Sequence, residues 1–350
     1  MKSLVIAALT SVTVLAVSCQ EEFPLTPEQR IEQLAKSHLI FGNAPGISVG
    51  TFQNGQRRYY NYGSRSATAN EPVNERTIYE IASVSKTFTA YLVADLSLQG
   101  RLSLDDSANK FLPPALRLPS KEGTPILIKH LLNHTSGLKR DIDFTGLPQT
   151  DYTEAQLADY LKTSTLNFVP GSEFSYSNLG FDVLASIAQI VAGKSYEAQL
   201  EERMLRPMKM AATYATDALP SSDNTATGYL GKKKIAHYKH TSVSTGAGAV
   251  KSNVDDLLTY VEFAMNSTPS ETSQVFDLVQ RPTFTIRSGT EIGLSWIKSG
   301  KNLYFHNGGF PGYSSVIIFD QAKKTAVVLL ANGGPINTTQ TAFDILKLLE

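Results

Sequence analysis

Ser83-Val84-Ser85-Lys86 sets a hydroxyl and an amine three positions apart at the head of an apolar stretch. On a helix that spacing puts both groups on one face, within hydrogen-bonding reach. A serine hydroxyl becomes a competent nucleophile when a neighbour takes its proton. A lysine can do so once burial disfavours its charged form. The spelling recurs at Ser107/Lys110, Ser136/Lys139 and Ser295/Lys298, so context has to separate the four. Ser295 lies in a strand-like run, where an odd offset sends two side chains to opposite faces. Gly137 interrupts the Ser136 tetrad, and the Ser107 tetrad runs into Pro113-Pro114. Only Ser83 opens a long apolar-striped helix, whose dipole and free N–H groups favour developing negative charge. The competing reading of Ser83 and Lys86 is a capping serine followed by a surface lysine.

Two further clusters carry polar groups suited to the same chemistry. Tyr176-Ser177-Asn178 follows the turn Pro170-Gly171 and precedes a helical stripe. A phenol near a lysine can act as general base or acid, and an amide can both donate to and accept from a substrate amide. Tyr59-Tyr60-Asn61 is spelled alike but falls inside a predicted strand, and either tyrosine alone is compatible with a structural role. His306-Asn307-Gly308-Gly309 ends a predicted strand, with Pro311-Gly312 next. Two glycines let a ligand approach the backbone, so an N–H there could help hold an oxyanion. Lys298-Ser299-Gly300 is a competing candidate, and for both the alternative is a plain hairpin turn. His38, His130, His134, His237 and His240 lack metal-ligand spacing, H-E-x-x-H is absent, and Gly246-Ala247-Gly248 lacks the remainder of a phosphate loop. No metal, nucleotide or other cofactor is implied.

These residues need a scaffold, and the composition supports one. With 350 residues, 42% of them hydrophobic, the chain can bury a sizeable core and is no disordered segment. Lys and Arg number 32, as do Asp and Glu, which removes the electrostatic case for nucleic-acid binding. Thr26-Pro27-Glu28-Gln29 predicts a helix start, with Ile31, Leu34, Ala35 and Leu39 on its apolar face. Ile47–Phe52 and Arg57–Tyr62 read as strands split by Asn54-Gly55, a tight-hairpin signal. Leu303–His306, Ser314–Phe319 and Lys324–Ala331 read as successive antiparallel strands before an amphipathic helix opening near Thr338. Between the ends lie helical stripes from Thr87 to Gln99, from Val183 to Gly193, and from Tyr196 to Pro207. Gly/Pro-rich joints fall at 113–125 and 169–171. The expected organisation is an α+β domain over 26–350: a sheet subdomain from 26–82 and 241–350, and a mostly helical subdomain over 83–240. Lys232 to His240 reads as a solvated surface segment.

Residues 1–18 read as an export signal, with Lys2 ahead of a short apolar stretch that ends in small residues. Cys19, the only cysteine, follows directly, and no disulfide within the chain is possible. The placement resembles a bacterial lipoprotein signal, which implies a lipidated Cys19, a polar leash over 19–25 and an anchored protein of the cell envelope. Ala16 stands where a larger aliphatic residue is commoner. The alternative is a plain secretory signal with a chance cysteine.

Taken together, the motifs resemble the serine β-lactamase and penicillin-binding-protein superfamily, in its class C-like branch of β-lactamases, D-stereospecific peptidases and esterases. "TIYEIASVSKTFTA" from Thr77, "HLLNHTSGL" from His130, "PGSEFSYSNLGFDVLASIAQIVAGKSY" from Pro170 and "HNGGFPGYSS" from His306 occur in that branch's order. The resemblance covers the chain from about residue 30 onward. It implies an antiparallel sheet flanked by helices beside a helical domain. It assigns Ser83 as nucleophile, Lys86 as its partner, Tyr176 as general base and acid, and Asn178 as the substrate-orienting amide. His306, Asn307 and Gly308 would form the third motif and contact substrate, and the N–H groups of Ser83 and Gly309 would form the oxyanion hole. The chain departs from the β-lactamases at His306, which replaces a permanently cationic lysine and is charged only near or below its unperturbed pKa of about 6.5. This variant is similar to the peptidase and esterase members. The stretch between the second and third motifs is also shorter than in class C β-lactamases.

The resulting expectation is an exported serine hydrolase working through an acyl-Ser83 intermediate. Its substrates would be small molecules or peptides: D-amino-acid peptides, small esters or β-lactams. The alternative is a penicillin-binding-like sensor or binding lipoprotein that keeps the fold without turnover.

Overall fold

In the computed structural model, residues 24–41, 44–142, 151–215, 224–266, 270–334 and 336–350 are described. The expected signal 1–18, Cys19 and most of the leash lie outside them. Helix α1 (Pro27–Phe41) starts where the sequence places it. The Gln29 N–H donates to Thr26 Oγ1 at 3.2 Å while the Thr26 N–H donates to Gln29 Oε1 at 2.9 Å, a reciprocal cap. Strands β1 (Gly46–Gln53) and β2 (Gln56–Gly63) form the expected hairpin, with Asn54 at φ 52° and Gly55 at φ 73°. The two-residue β3 (Tyr79–Glu80) leads into a 3₁₀ turn, Ala82–Val84, and then α2 (Ser85–Leu98).

The helical middle comprises α3 (Ile128–Leu132), α4 (Glu154–Thr163), α5 (Asn178–Ala192), α6 (Tyr196–Leu200) and α7 (Arg206–Met208). A hairpin of β4 (Gly228–Leu230) and β5 (Lys233–Ile235) follows. Next come β6 (Lys251–Ser252), which pairs with β3, and the helices α8 (Val254–Met265) and α9 (Glu271–Gln280). Strands β7 (Phe284–Arg287), β8 (Thr290–Ile292), β9 (Ile297–Ser299), β10 (Leu303–Phe310), β11 (Tyr313–Asp320) and β12 (Thr325–Ala331) then precede α10 (Thr338–Leu348).

The principal sheet runs β2-β1-β12-β11-β10-β9-β8-β7, all antiparallel, so the two ends of the chain meet at the β1–β12 pairing. Side chains alternate across it. Ile47, Val49, Val316, Ile318, Val327 and Leu329 face one side and pack on Ile31 and Ala35 of α1 and Ala342 and Ile345 of α10. Ile317, Phe319, Val328 and Leu330 face the other side, in one core with α2, α5, α8 and α9. With both faces covered, the central strands read as unbroken apolar runs rather than alternating ones. Within that second core Phe88 of α2 stacks on Tyr260 of α8, their ring centroids 4.6 Å apart.

Two features of the sheet position the site. Strand β10 does not stop at His306 as the sequence suggests. It continues to Phe310, with Gly308 opposite Ser315 and Gly309 opposite Ser314, and the turn falls at Pro311-Gly312. Its neighbour β9 pairs only with Leu303, Tyr304 and Phe305. Among the described strands, none covers that edge from His306 to Phe310. The competing Lys298-Ser299-Gly300 lies at the end of β9, opposite Leu303 and Tyr304 at the other end of β10, with Lys298 paired to Glu291 of β8 at 3.1 Å.

The segment 232–240 is only partly the solvated stretch expected. Lys232, Lys233 and Lys234 are exposed, but His237 Nδ1 lies 2.8 Å from an oxygen of buried Glu80. Tyr238 stacks on Phe310 with ring centroids 4.3 Å apart. Aromatic packing thus pins this segment beside the end of β10.

Candidate active site

Ser83 sits in the turn between β3 and α2, and the turn is held from three sides. Ser315 Oγ donates to the Ile81 carbonyl at 2.7 Å, and the Val84 N–H donates to the same carbonyl at 3.2 Å. The Val250 N–H donates to Ser85 Oγ at 3.0 Å. Between these anchors Ala82 is buried and adopts φ 47°, a left-handed conformation unfavourable for a residue with a Cβ. That kink delivers Ser83, partly accessible, to the head of the helix axis. The competing reading, a capping serine with a surface lysine, fails on the lysine: Lys86 is fully buried.

Lys86 Nζ lies 3.1 Å from Ser83 Oγ and donates to the Ala247 carbonyl at 2.7 Å. Burial pulls its pKa down to about 7, against the opposing pull of the Asp182 and Asp141 charges. Near neutrality this amine is therefore available as a proton acceptor. Tyr176 closes the other side of the pair, with Lys86 Nζ 5.0 Å from its ring centroid. Burial holds the phenol protonated well beyond its ordinary range, although the nearby Ser83 hydroxyl pulls its pKa down. The exposed Arg140 guanidinium stands 5.1 Å from the same ring.

Behind Tyr176 lies a residue that the sequence reading left without a role. The His134 ring packs against the Tyr176 ring at 4.2 Å. Its Nδ1 accepts the Ser177 N–H at 3.1 Å, which places the ring proton on Nε2. Burial first, and the Lys86 charge second, hold His134 neutral.

On β10 the side chains alternate, and this decides which members of the third motif reach the cleft. His306 turns toward Lys86, buried, with its Nδ1 2.8 Å from the Asn307 carbonyl. Burial pushes its pKa down to about 3, with the Lys86 charge adding to the effect. At neutral pH it is an uncharged ring, so the titration near 6.5 expected from the sequence is corrected. Asn307 is a second correction. Its amide donates to Thr339 Oγ1 of α10 at 3.1 Å, on the opposite face of the strand, because adjacent strand residues point apart. Gly308 is required by a close approach: a Cβ there would stand 2.4 Å from the Ile81 carbonyl oxygen and 2.9 Å from the Ser83 nitrogen. Gly309 is exposed, with open space around its α-carbon.

Asn178 begins α5 on the same wall as Tyr176. Its Nδ2 donates to Asp141 Oδ1 at 2.6 Å, and its Oδ1 is buried with no partner among the described residues. Four positions on, and so on the same helix face, stands Asp182. Its Oδ2 accepts from the Tyr152 hydroxyl at 2.6 Å and its Oδ1 from the Ala247 N–H at 2.9 Å. The sequence carried one signal for it, a single carboxylate inside the apolar stripe from Leu179 to Ile187. Tyr152, Ala247, Arg140 and Asp141 carried none. They come from three segments outside the helices and strands: Arg140-Asp141, Tyr152 and Ala247.

Comparison with known proteins follows the same lines. The pattern of a family described as Beta-lactamase matches residues 29–347. The chain is 27% identical to the D-alanyl-D-alanine-carboxypeptidase/endopeptidase AmpH of Escherichia coli strain K12, over 97% of this chain and 91% of that protein. A solved class C beta-lactamase superposes with a TM-score of 0.81 at 26% identity, covering 93% of this chain and 96% of its own. A class C beta-lactamase in complex with cefoxitin superposes equally well, TM-score 0.81 at 26% identity, over 92% and 98% of the two chains.

Proposed function

The chain belongs to the beta-lactamase family, and from that premise we propose an exported hydrolase that forms an acyl-Ser83 intermediate on D-amino-acid peptides and small esters. It is a serine hydrolase of the β-lactamase/D-Ala-D-Ala carboxypeptidase type, with a class C β-lactamase-like α+β fold. The observation that carries the specific proposal is the buried Lys86 amine 3.1 Å from Ser83 Oγ, beside the uncovered edge of β10.

In this mechanism Ser83 Oγ attacks the carbonyl carbon as its proton passes to neutral Lys86. The N–H groups of Ser83 and Gly309 receive the developing oxyanion, and Gly308 lets the strand come close enough for them to converge. The protonated phenol of Tyr176 gives its proton to the departing nitrogen or oxygen and regains one from the Lys86 ammonium, so the site returns to its starting charge. Water then attacks the acyl-Ser83 carbonyl by the same route reversed, and its proton passes through Tyr176 and Lys86 until Ser83 leaves as the hydroxyl. Asn178 orients the acyl amide. Uncharged His306 offers a hydrogen-bonding ring and no cation for a substrate carboxylate, which supports ester turnover over substrates with a carboxylate beside the scissile bond, β-lactams among them.

The experiment is a panel: a D-alanyl-D-alanine peptide, a short-chain nitrophenyl ester and a chromogenic cephalosporin, each followed for turnover and for a covalent adduct by mass spectrometry. Expected are turnover of ester and peptide, and a slowly released lactam adduct on the peptide containing Ser83. No adduct and no turnover across the panel would overturn the proposal. Export and a lipid anchor at Cys19 are part of the same proposal, supported by the signal-like residues 1–18. Incorporation of labelled palmitate in a bacterial host should be lost in Cys19→Ala, and undiminished labelling would reject the anchor.

A further inference from the structure

Of the buried ionisable residues that the mechanism above leaves unused, Asp182 is joined to Lys86 through a single peptide group. Asp182 projects from α5 into the space between that helix and the segment around Ala247, where both carboxylate oxygens are engaged. The Ala247 peptide links it to the site: its N–H donates to Asp182 and its carbonyl accepts from Lys86 Nζ at 2.7 Å. The path from Ser83 Oγ to Lys86, across one peptide group to Asp182 and on to Tyr152 is continuous, with every step at 3.1 Å or less. A carboxylate is a costly way to fix a loop in an apolar core, where a neutral amide would serve.

We propose that Asp182 is a positioning residue for proton transfer at Ser83: it aims the Ala247 carbonyl at Lys86 and keeps that amine basic enough to accept the serine proton. This rests on the reading of Lys86 as the acceptor. The other groups facing Lys86 do not duplicate the effect. His306 on β10 and His134 behind Tyr176 are held neutral, Tyr176 is held protonated, and Arg140 is a like charge. Asp141 acts in the same sense as Asp182, but it is partly exposed and paired with Arg140 at 3.3 Å. Desolvation drives the Lys86 pKa downward, and Asp182 ranks first among the charges that oppose it; burial in turn pushes the Asp182 carboxyl up to about 7, against the pull of its hydrogen bonds and the Lys86 charge, so the two titrate as a linked pair. An amine driven too far down would be neutral at every working pH and too weak a base to take the proton.

The test is the pH profile of kcat/KM for ester hydrolysis by the purified protein. Asp182→Asn keeps the shape and most of the hydrogen bonding while removing the charge. It should move the acid limb down by about one pH unit and lower the plateau about 10–100-fold, the range of a weakened general base, whereas a limb abolished outright would make Asp182 itself the titrating group and overturn the inference. Asp182→Glu restores the charge, and a cavity of about 30 Å³ lined by Asp141, Asn178, Asp182 and Ala247 can take the extra methylene. Its limb should stay near the wild-type position. Should the amide variant not fold, Asp182→Ser is read on the same limb. A limb that stays in place in the neutral variant, whatever the loss of rate, makes Asp182 merely structural and overturns the inference. A wild-type profile with no acid limb would instead overturn the Lys86 reading, and this inference with it.

Discussion

Ser83→Ala should lower ester and peptide hydrolysis at least about 10⁴-fold and abolish every covalent adduct, because the acyl group then has no oxygen to occupy. The fold should be untouched. Ser83 is partly accessible and its turn is held by the Ile81 carbonyl, Ser85 and Ser315 rather than by its own hydroxyl. Far-UV circular dichroism and Tm matching the wild type, together with lost turnover, would isolate the chemistry. A variant that still hydrolyses an activated ester at the wild-type rate would refute acyl transfer through this residue. Adduct lifetime in the wild type separates the hydrolase from the binding-protein alternative: a sensor would hold its adduct, and a hydrolase would release it.

Lys86→Met carries the second large effect, expected near 10³-fold in kcat/KM, within the range for loss of a positioned general base. The wild-type pH profile should announce it. The neutral amine is the acceptor, and burial holds its pKa at about 7, so kcat/KM should rise with pH through about 7. About one unit below that, it should fall roughly tenfold per pH unit as the ammonium takes over. The methionine variant should lose this limb along with the rate. Stability should change little, since an apolar side chain of similar length replaces a buried amine, although the Ala247 carbonyl loses its donor. A retained limb near 7 in Lys86→Met would mean that another group titrates there. That group would be Asp182, whose carboxyl burial pushes up to about 7, rather than His306, whose pKa lies near 3.

How much of this could be read from the chain depends on the reach of each interaction. The reciprocal cap at Thr26, the Asn54-Gly55 hairpin and the stop of α5 at left-handed Gly193 were all legible. Each is settled by residues within four positions of one another. The pairing of Ser83 with Lys86 was legible for the same reason, one helical turn joining them, once context had set aside three identical spellings. The limits of β10 were misread. Gly308 and Gly309 look like a turn in isolation, but the ladder to Ser315 and Ser314 carries the strand through them. Asn307 was misassigned because alternation assigns it a face only once the strand is known to continue.

The sequence alone therefore determined the reactive residue types, their order and the local geometry of each motif, because backbone propensities and short hydrogen bonds act over a few residues. Tertiary structure decided their charges. Whether Lys86 is neutral, His306 uncharged or Tyr176 protonated depends on how much water the surrounding helices and strands exclude, and on where Asp182, Tyr152 and Ala247 come to rest. Desolvation is a property of the packed neighbourhood, assembled here from segments far apart in the chain, and no spacing of letters encodes it.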